Sequence, residues 1–247
     1  MRLSIFTAAA LLSIFISNTC FAQSDASHSF TVTFERTLEY LLDVPDDYES
    51  DSSKKWPLVL FLHGAGERGS DLSKVRTHGP PKLAAAGKKF PFILVSPQCP
   101  ENRWWDPETL YALIEDIEDQ YRVDKDRIYV TGLSMGGYGT WALAMQYPEK
   151  FAAIAPVCGG GIPYRTRFIT NLPIRTFHGD ADTAVPISET QVLVDELKKR
   201  GSTVQFTIYP EVGHNCWDQT YDNPKLYEWM LKQKRKIDPP AGQQAGQ

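Results

Sequence analysis

Gly132-Leu133-Ser134-Met135-Gly136-Gly137 is the stretch on which the reading of this chain turns. It lies between an apolar run at 127–131, a strand by composition, and a helical pattern at 135–147. A serine hydroxyl is a weak nucleophile, so an attacking serine has to sit on a tight, strained turn at the start of a helix, within reach of a base. Gly132 and Gly136 leave room for that turn. The same geometry aims the backbone N–H of Met135 at the attacked carbonyl, where the partial positive charge of a helix start favours a developing oxyanion. Short glycine patterns of this kind are common, so the rest of the chain has to decide.

Outward from the turn, apolar runs at 58–62, 92–96, 127–131, 151–157, 174–177 and 204–209 alternate with helical patterns. Those patterns cover 83–86, 108–121, 135–147, 187–199 and 225–234. In the second, Leu110, Leu113, Ile114 and Ile117 make one apolar stripe. This rhythm predicts an α/β fold with a mostly parallel central sheet flanked by helices. Two further stretches, Phe30-Thr31-Val32-Thr33-Phe34 and Tyr40-Leu41-Leu42, read as strands leading into the sheet.

A serine of this kind is followed along the chain by an acid and then a histidine. Only His178 and His214 lie downstream of Ser134, and only His214 also follows an acidic candidate. His214 stands just past the final strand pattern, where a loop can hang its imidazole over the serine. The acid is expected in His178-Gly179-Asp180-Ala181-Asp182-Thr183, and spacing does not choose between Asp180 and Asp182. His178 and His63 read as structural residues at strand ends. For the second oxyanion donor, Leu62-His63-Gly64-Ala65-Gly66 offers the N–H of Ala65, with Gly66 as the second choice. His63 and Glu67 stand four apart, but the intervening glycines break any helix that would align them, so no metal site and no cofactor are expected.

The chain has 247 residues, 42% hydrophobic and 23% charged, which fits one globular domain. A net charge of −4 without a basic stripe argues against nucleic-acid partners. Met1-Arg2, an apolar core and Cys20-Phe21-Ala22 read as a signal peptide over 1–22, too short for a membrane span, so a secreted or periplasmic location is expected. Residues 23–29 read as a flexible N-terminus, 30–235 as the folded domain and 236–247 as a disordered tail. Once the leader is gone, Cys99, Cys158 and Cys216 remain, so at most one internal bridge forms, with Cys158–Cys216 a candidate clamp.

Taken together, the segments 63–66, 132–137, 178–186 and 213–214 resemble the α/β-hydrolases, specifically the small carboxylesterase, feruloyl-esterase and polyhydroxybutyrate-depolymerase-like group. The resemblance runs from about residue 30 to 234 and implies a serine carboxylesterase that uses Ser134, His214 and Asp182. The choice of Asp182 over Asp180 comes from that resemblance, whose His-Gly-x-x-Asp-x-x-Val-Pro pattern matches 178–186. Dienelactone-hydrolase-like sisters carry Cys at the position of Ser134. The stretch between Val157 and Pro173 is too short for a large cap domain, so an open site is expected. Trp105 and Trp217 are candidate substrate contacts, with Trp104 and Tyr138 nearby. Small or polymer-linked esters, from plant cell walls or polyesters, are the implied substrates. Two other functions fit the same residues: a serine peptidase of prolyl-oligopeptidase-like type, and a non-catalytic carbohydrate-binding protein on a hydrolase scaffold.

Overall fold

A computed structural model describes residues 27, 29–33 and 35–235. The expected leader and tail lie outside the described residues. The chain divides into two units, 1–35 and 36–247. In the first, the described residues carry no helix or strand, and Phe30 and Val32 are exposed. The strand expected at 30–34 is therefore not found among them: alternation alone does not make a strand without a ladder partner.

The second unit holds a seven-stranded sheet. Its strands are β1 Tyr40–Asp43, β2 Trp56–Leu62, β3 Ile93–Pro97, β4 Val123–Leu133, β5 Ala153–Val157, β6 Arg175–Gly179 and β7 Gln205–Tyr209. The helices are α1 Gly79–Ala85, α2 Pro107–Gln120, α3 Met135–Gln146, α4 Ser188–Lys199, α5 Trp217–Asp222 and α6 Pro224–Lys232. The order across the sheet is β1-β3-β2-β4-β5-β6-β7, with β1 antiparallel to β3 and the other pairs parallel.

Every residue of β2 is buried, because parallel strands covered on both faces have no solvent side. Leu58, Leu60 and Leu62 face one core with the apolar stripe of α2 and with Leu193, Val194 and Leu197 of α4. Val59 and Phe61 face the other, with Tyr221 of α5 and Leu226, Tyr227 and Met230 of α6. The helix α2 starts where Asp106 accepts from the Thr109 N–H at 2.9 Å and Pro107 fills the first turn, a position that asks no N–H of it. Between β5 and β6 the only helical element is a short 3-10 turn, Pro163–Phe168, so no cap domain is inserted between those two strands.

Candidate active site

Parallel strands bring their C-terminal ends to one edge of the sheet, and the segments after β4, β6 and β7 gather there. Ser134 is the hinge between β4 and α3. Its φ of 53° and ψ of −118° are unfavourable for a non-glycine residue, a strain on the order of 1–3 kcal/mol that persists only where the surroundings impose it. Two backbone bonds impose it here: Ser134 N–H donates to Val157 O at 3.0 Å, and Tyr138 N–H to Ser134 O at 3.0 Å. The turn also needs close approach of backbones. A Cβ on Gly136 would come within 1.9 Å of the Leu62 carbonyl oxygen, and one on Gly132 within 2.5 Å of Gly136 O.

Ser134 Oγ lies 2.9 Å from His214 Nε2, and His214 Nδ1 lies 2.7 Å from Asp182 Oδ2. A carboxylate only accepts, so Nδ1 carries the hydrogen and Nε2 is left with a lone pair for the serine proton. Asp182 Oδ1 accepts from the Ala184 and Val185 N–H groups, each at 2.9 Å. Burial works against the charge of Asp182, but the bonds from His214, Val185 and Ala184 outweigh it and keep the carboxyl below its ordinary pKa. Asp180 does something else: its Oδ1 accepts from the Glu211 N–H at 2.6 Å, holding the loop that presents His214.

His178 is fully buried behind this pair. Its Nε2 faces two acceptors, Val185 O at 2.8 Å and Asp182 Oδ2 at 3.2 Å, so it is a donor that steadies the acid's turn. His63 is equally buried and anchors the other side of the site. Its Nε2 accepts from the Cys99 N–H at 2.9 Å, which puts the hydrogen on Nδ1, 2.6 Å from Gly64 O. In a trans peptide the carbonyl and the next N–H point in opposite directions, so drawing Gly64 O toward His63 turns the Ala65 N–H away from it. Gly64 itself abuts the serine, since a Cβ there would lie 3.7 Å from Ser134 Cβ. Burial lowers the pKa of His63 to about 4, which keeps it neutral in this anchoring role. Met135, at the first turn of α3, is buried, and N–H groups there have no partner within the helix.

The aromatic residues need one correction. Trp105 is buried, its indole N–H donates to His63 O at 3.1 Å, and its ring packs against Gly139 and His63. It supports the loop of His63 and offers no open face to a substrate. Trp104, its neighbour, is 65% exposed and meets Tyr138 edge-on at 6.0 Å. The Tyr138 hydroxyl donates to Glu189 Oε2 at 3.2 Å, a partner no sequence pattern announced. Trp217 is half-buried and stands edge-on to His214, ring centres 5.1 Å apart.

Among the described residues one group has the spacing of metal ligands, Cys158, Asp182 and His214, within 4.8 Å of one another. A cation there would have to displace the bond between His214 and Asp182. A recess of about 870 Å³ lies elsewhere, lined by residues such as Pro148, Phe168, Pro173 and Arg235 ahead of β5 and β6, and contains none of the three.

The sequence model of the Dienelactone hydrolase family matches residues 106–226. The chain shares 35% identity with the crystal structure of a thermostable esterase, over 80% of this chain and 60% of that one, at a TM-score of 0.71. The chain has the α/β-hydrolase fold. By sequence the chain is 25% identical to Carboxylesterase SOBER1 of Arabidopsis thaliana, covering 72% of itself and 90% of that protein. It is also 25% identical to Poly(3-hydroxyalkanoate) depolymerase C of Paucimonas lemoignei, over 67% of itself and 41% of the relative. The chain thus spans less than two thirds of the thermostable esterase and of the depolymerase. The matched family is the one set aside as a sister group because of Ser134, and its model runs through that position all the same.

Proposed function

We propose that this hydrolase is an exported serine esterase, with Ser134 as nucleophile, His214 as base and Asp182 as the acid that orients it. The observation that carries the reading is the unbroken relay from Ser134 Oγ through the His214 ring to Asp182, at 2.9 Å and 2.7 Å, on a serine held in a strained turn.

In the first half-reaction His214 Nε2 takes the Ser134 proton as Oγ bonds to the ester carbonyl carbon, and negative charge collects on the carbonyl oxygen. The N–H groups of Met135 and Ala65 are the proposed donors to that oxygen, and one such donor is worth roughly 10²- to 10³-fold in rate. The imidazolium, faced by Asp182, returns the proton to the leaving alcohol as the C–O bond breaks. Water, deprotonated by His214, then cleaves the acyl-enzyme by the same path in reverse roles and releases the acid. No step needs a cofactor.

An uncapped edge with Trp104 exposed and Tyr138 half-buried at its rim suits bulky acyl groups or esters attached to a polymer. The esterase and depolymerase names of the relatives agree with that substrate class. The test is a rate comparison on short acyl, acetylated-sugar, feruloyl and hydroxyalkanoate esters and on matched peptide amides. Ester turnover exceeding amide turnover, and absent from Ser134→Ala, supports the reading. Amide turnover in excess would make the protein a peptidase, and polysaccharide retention without turnover of either would make it a binding protein.

A further inference from the structure

The three residues of the relay do not come from one half of the sheet. Ser134 directly follows β4, which shares five registered pairs with β5. Asp182 and His214 follow β6 and β7, which share another five. Between those halves the ladder is thin: one registered pair, Val157 with Phe177, and an isolated bridge between Ile154 and Ile174. The alignment of serine with base therefore crosses a joint with fewer registered pairs than its neighbours, held also by the Cys158 N–H to Phe177 O bond at 2.8 Å and the Ile154 N–H to Pro173 O bond at 3.1 Å.

Two thiols lie over that joint. Cys158 directly follows β5 with its backbone at a φ of 41°, and Cys216 stands two residues beyond His214. Both are fully buried, unbridged thiols in the same core, and the Cys216 side chain is one of the groups that act on the Cys158 thiol. The Cys158 sulfur is also within 4.8 Å of the acid and base atoms of Asp182 and His214. Cys99 belongs to the core on the opposite face of the sheet and cannot compete for either partner.

We propose that Cys158 and Cys216 are a disulfide-forming pair which, once oxidised, staples the serine-bearing half of the sheet to the half that bears the acid and base. The two thiols give up two protons and two electrons, a bond forms between their sulfurs, and a small-molecule disulfide of the oxidised-glutathione class is cleaved to two thiols. Burial raises the pKa of the Cys158 thiol well above its ordinary value, so it exposes little thiolate once folded. Pairing accordingly belongs to folding in an oxidising compartment, where the expected leader would send the chain. The bridge closes the chain from 158 to 216 and restrains the unfolded state as well as the joint.

The experiment is to refold the mature protein in a reduced/oxidised glutathione buffer and in excess reductant, then map peptides without reduction and follow thermal unfolding. The expected result is a linked pair of peptides containing Cys158 and Cys216, Cys99 still alkylatable, and a melting temperature on the order of 5–10 °C higher in the oxidised protein. The difference should vanish in Cys216→Ala. If that variant does not fold, the wild-type comparison decides alone. Full alkylation of Cys158 and Cys216 after oxidative refolding overturns the proposal, as does a link that leaves the melting temperature unchanged. Labelling of Ser134 by a fluorophosphonate, read on the same samples, is independent: its failure would sink the esterase reading and leave the disulfide map standing.

Discussion

Asp182 Oδ2 stands 2.7 Å from His214 Nδ1, while Asp180, two residues earlier, turns its carboxylate to the Glu211 N–H at 2.6 Å. One acid grips the His214 ring, the proposed base, and the other grips the loop that carries it. Asp182→Asn leaves the shape but allows the wrong imidazole tautomer, and kcat/KM for a short ester should fall by about 10³- to 10⁴-fold. Asp180→Ala removes a loop contact and should cost less than about 10-fold. Parallel rate measurements on the two variants check the assignment, and equal losses would contradict it.

Gly136 has no room for a side chain. Its Cβ would overlap the Leu62 carbonyl oxygen at 1.9 Å, and a backbone oxygen at the end of a central strand cannot move aside cheaply. Gly136→Ala should destabilise the fold by roughly 3 kcal/mol or more, read as a lower urea midpoint or loss of soluble protein.

His63 supplies a pH dependence whose sign is fixed by burial. Unfolded, it takes a proton below its ordinary value of 6.5, whereas folded it does so only below about 4. Between those values the unfolded chain binds more protons, so stability is complete above the window and is lost as the pH falls through it, by up to about 3 kcal/mol. His63→Gln should flatten the part of the stability–pH curve between neutrality and pH 4 that separates it from wild type, as measured by denaturant unfolding at a series of pH values. Curves of unchanged shape would refute the buried neutral role.

Trp104 and Trp105 should separate cleanly. Trp105→Ala empties a core position and should cost roughly 3–5 kcal/mol of stability. Trp104→Ala removes an exposed ring and should leave the melting temperature within about 2 °C while raising KM for feruloyl or polymer-linked esters more than for acetyl esters. Thermal unfolding and steady-state kinetics on both variants test the pair.

The central strands and long helices were legible because burial on both sheet faces writes itself as apolar runs, as at 58–62, and one-sided burial writes itself as a stripe, as in Leu110, Leu113, Ile114 and Ile117. Each observed helix of that kind falls within a residue or two of its expected bounds, apart from α1, which begins earlier than expected, at Gly79. Short α5 was missed because Trp217–Asp222 has too few turns to show a period. Ser134 and His214 were legible through motif order, which is chemistry written along the chain, whereas Asp182 was separated from Asp180 only by the resemblance to a known family, and the structure brings all three together. The sense of Trp105 was not: alternation cannot say which of two adjacent tryptophans faces the core when they lie in a loop. Nor does any local pattern reveal contacts such as Tyr138 with Glu189, which pair residues from distant elements.

The most direct test of the central claim is intact-mass spectrometry after treatment with a fluorophosphonate, with the modified peptide sequenced and Ser134→Ala run alongside. The account requires one adduct per chain, on Ser134, formed with loss of ester turnover and absent from a correctly folded Ser134→Ala protein. An adduct elsewhere, or full turnover with no adduct, would contradict it.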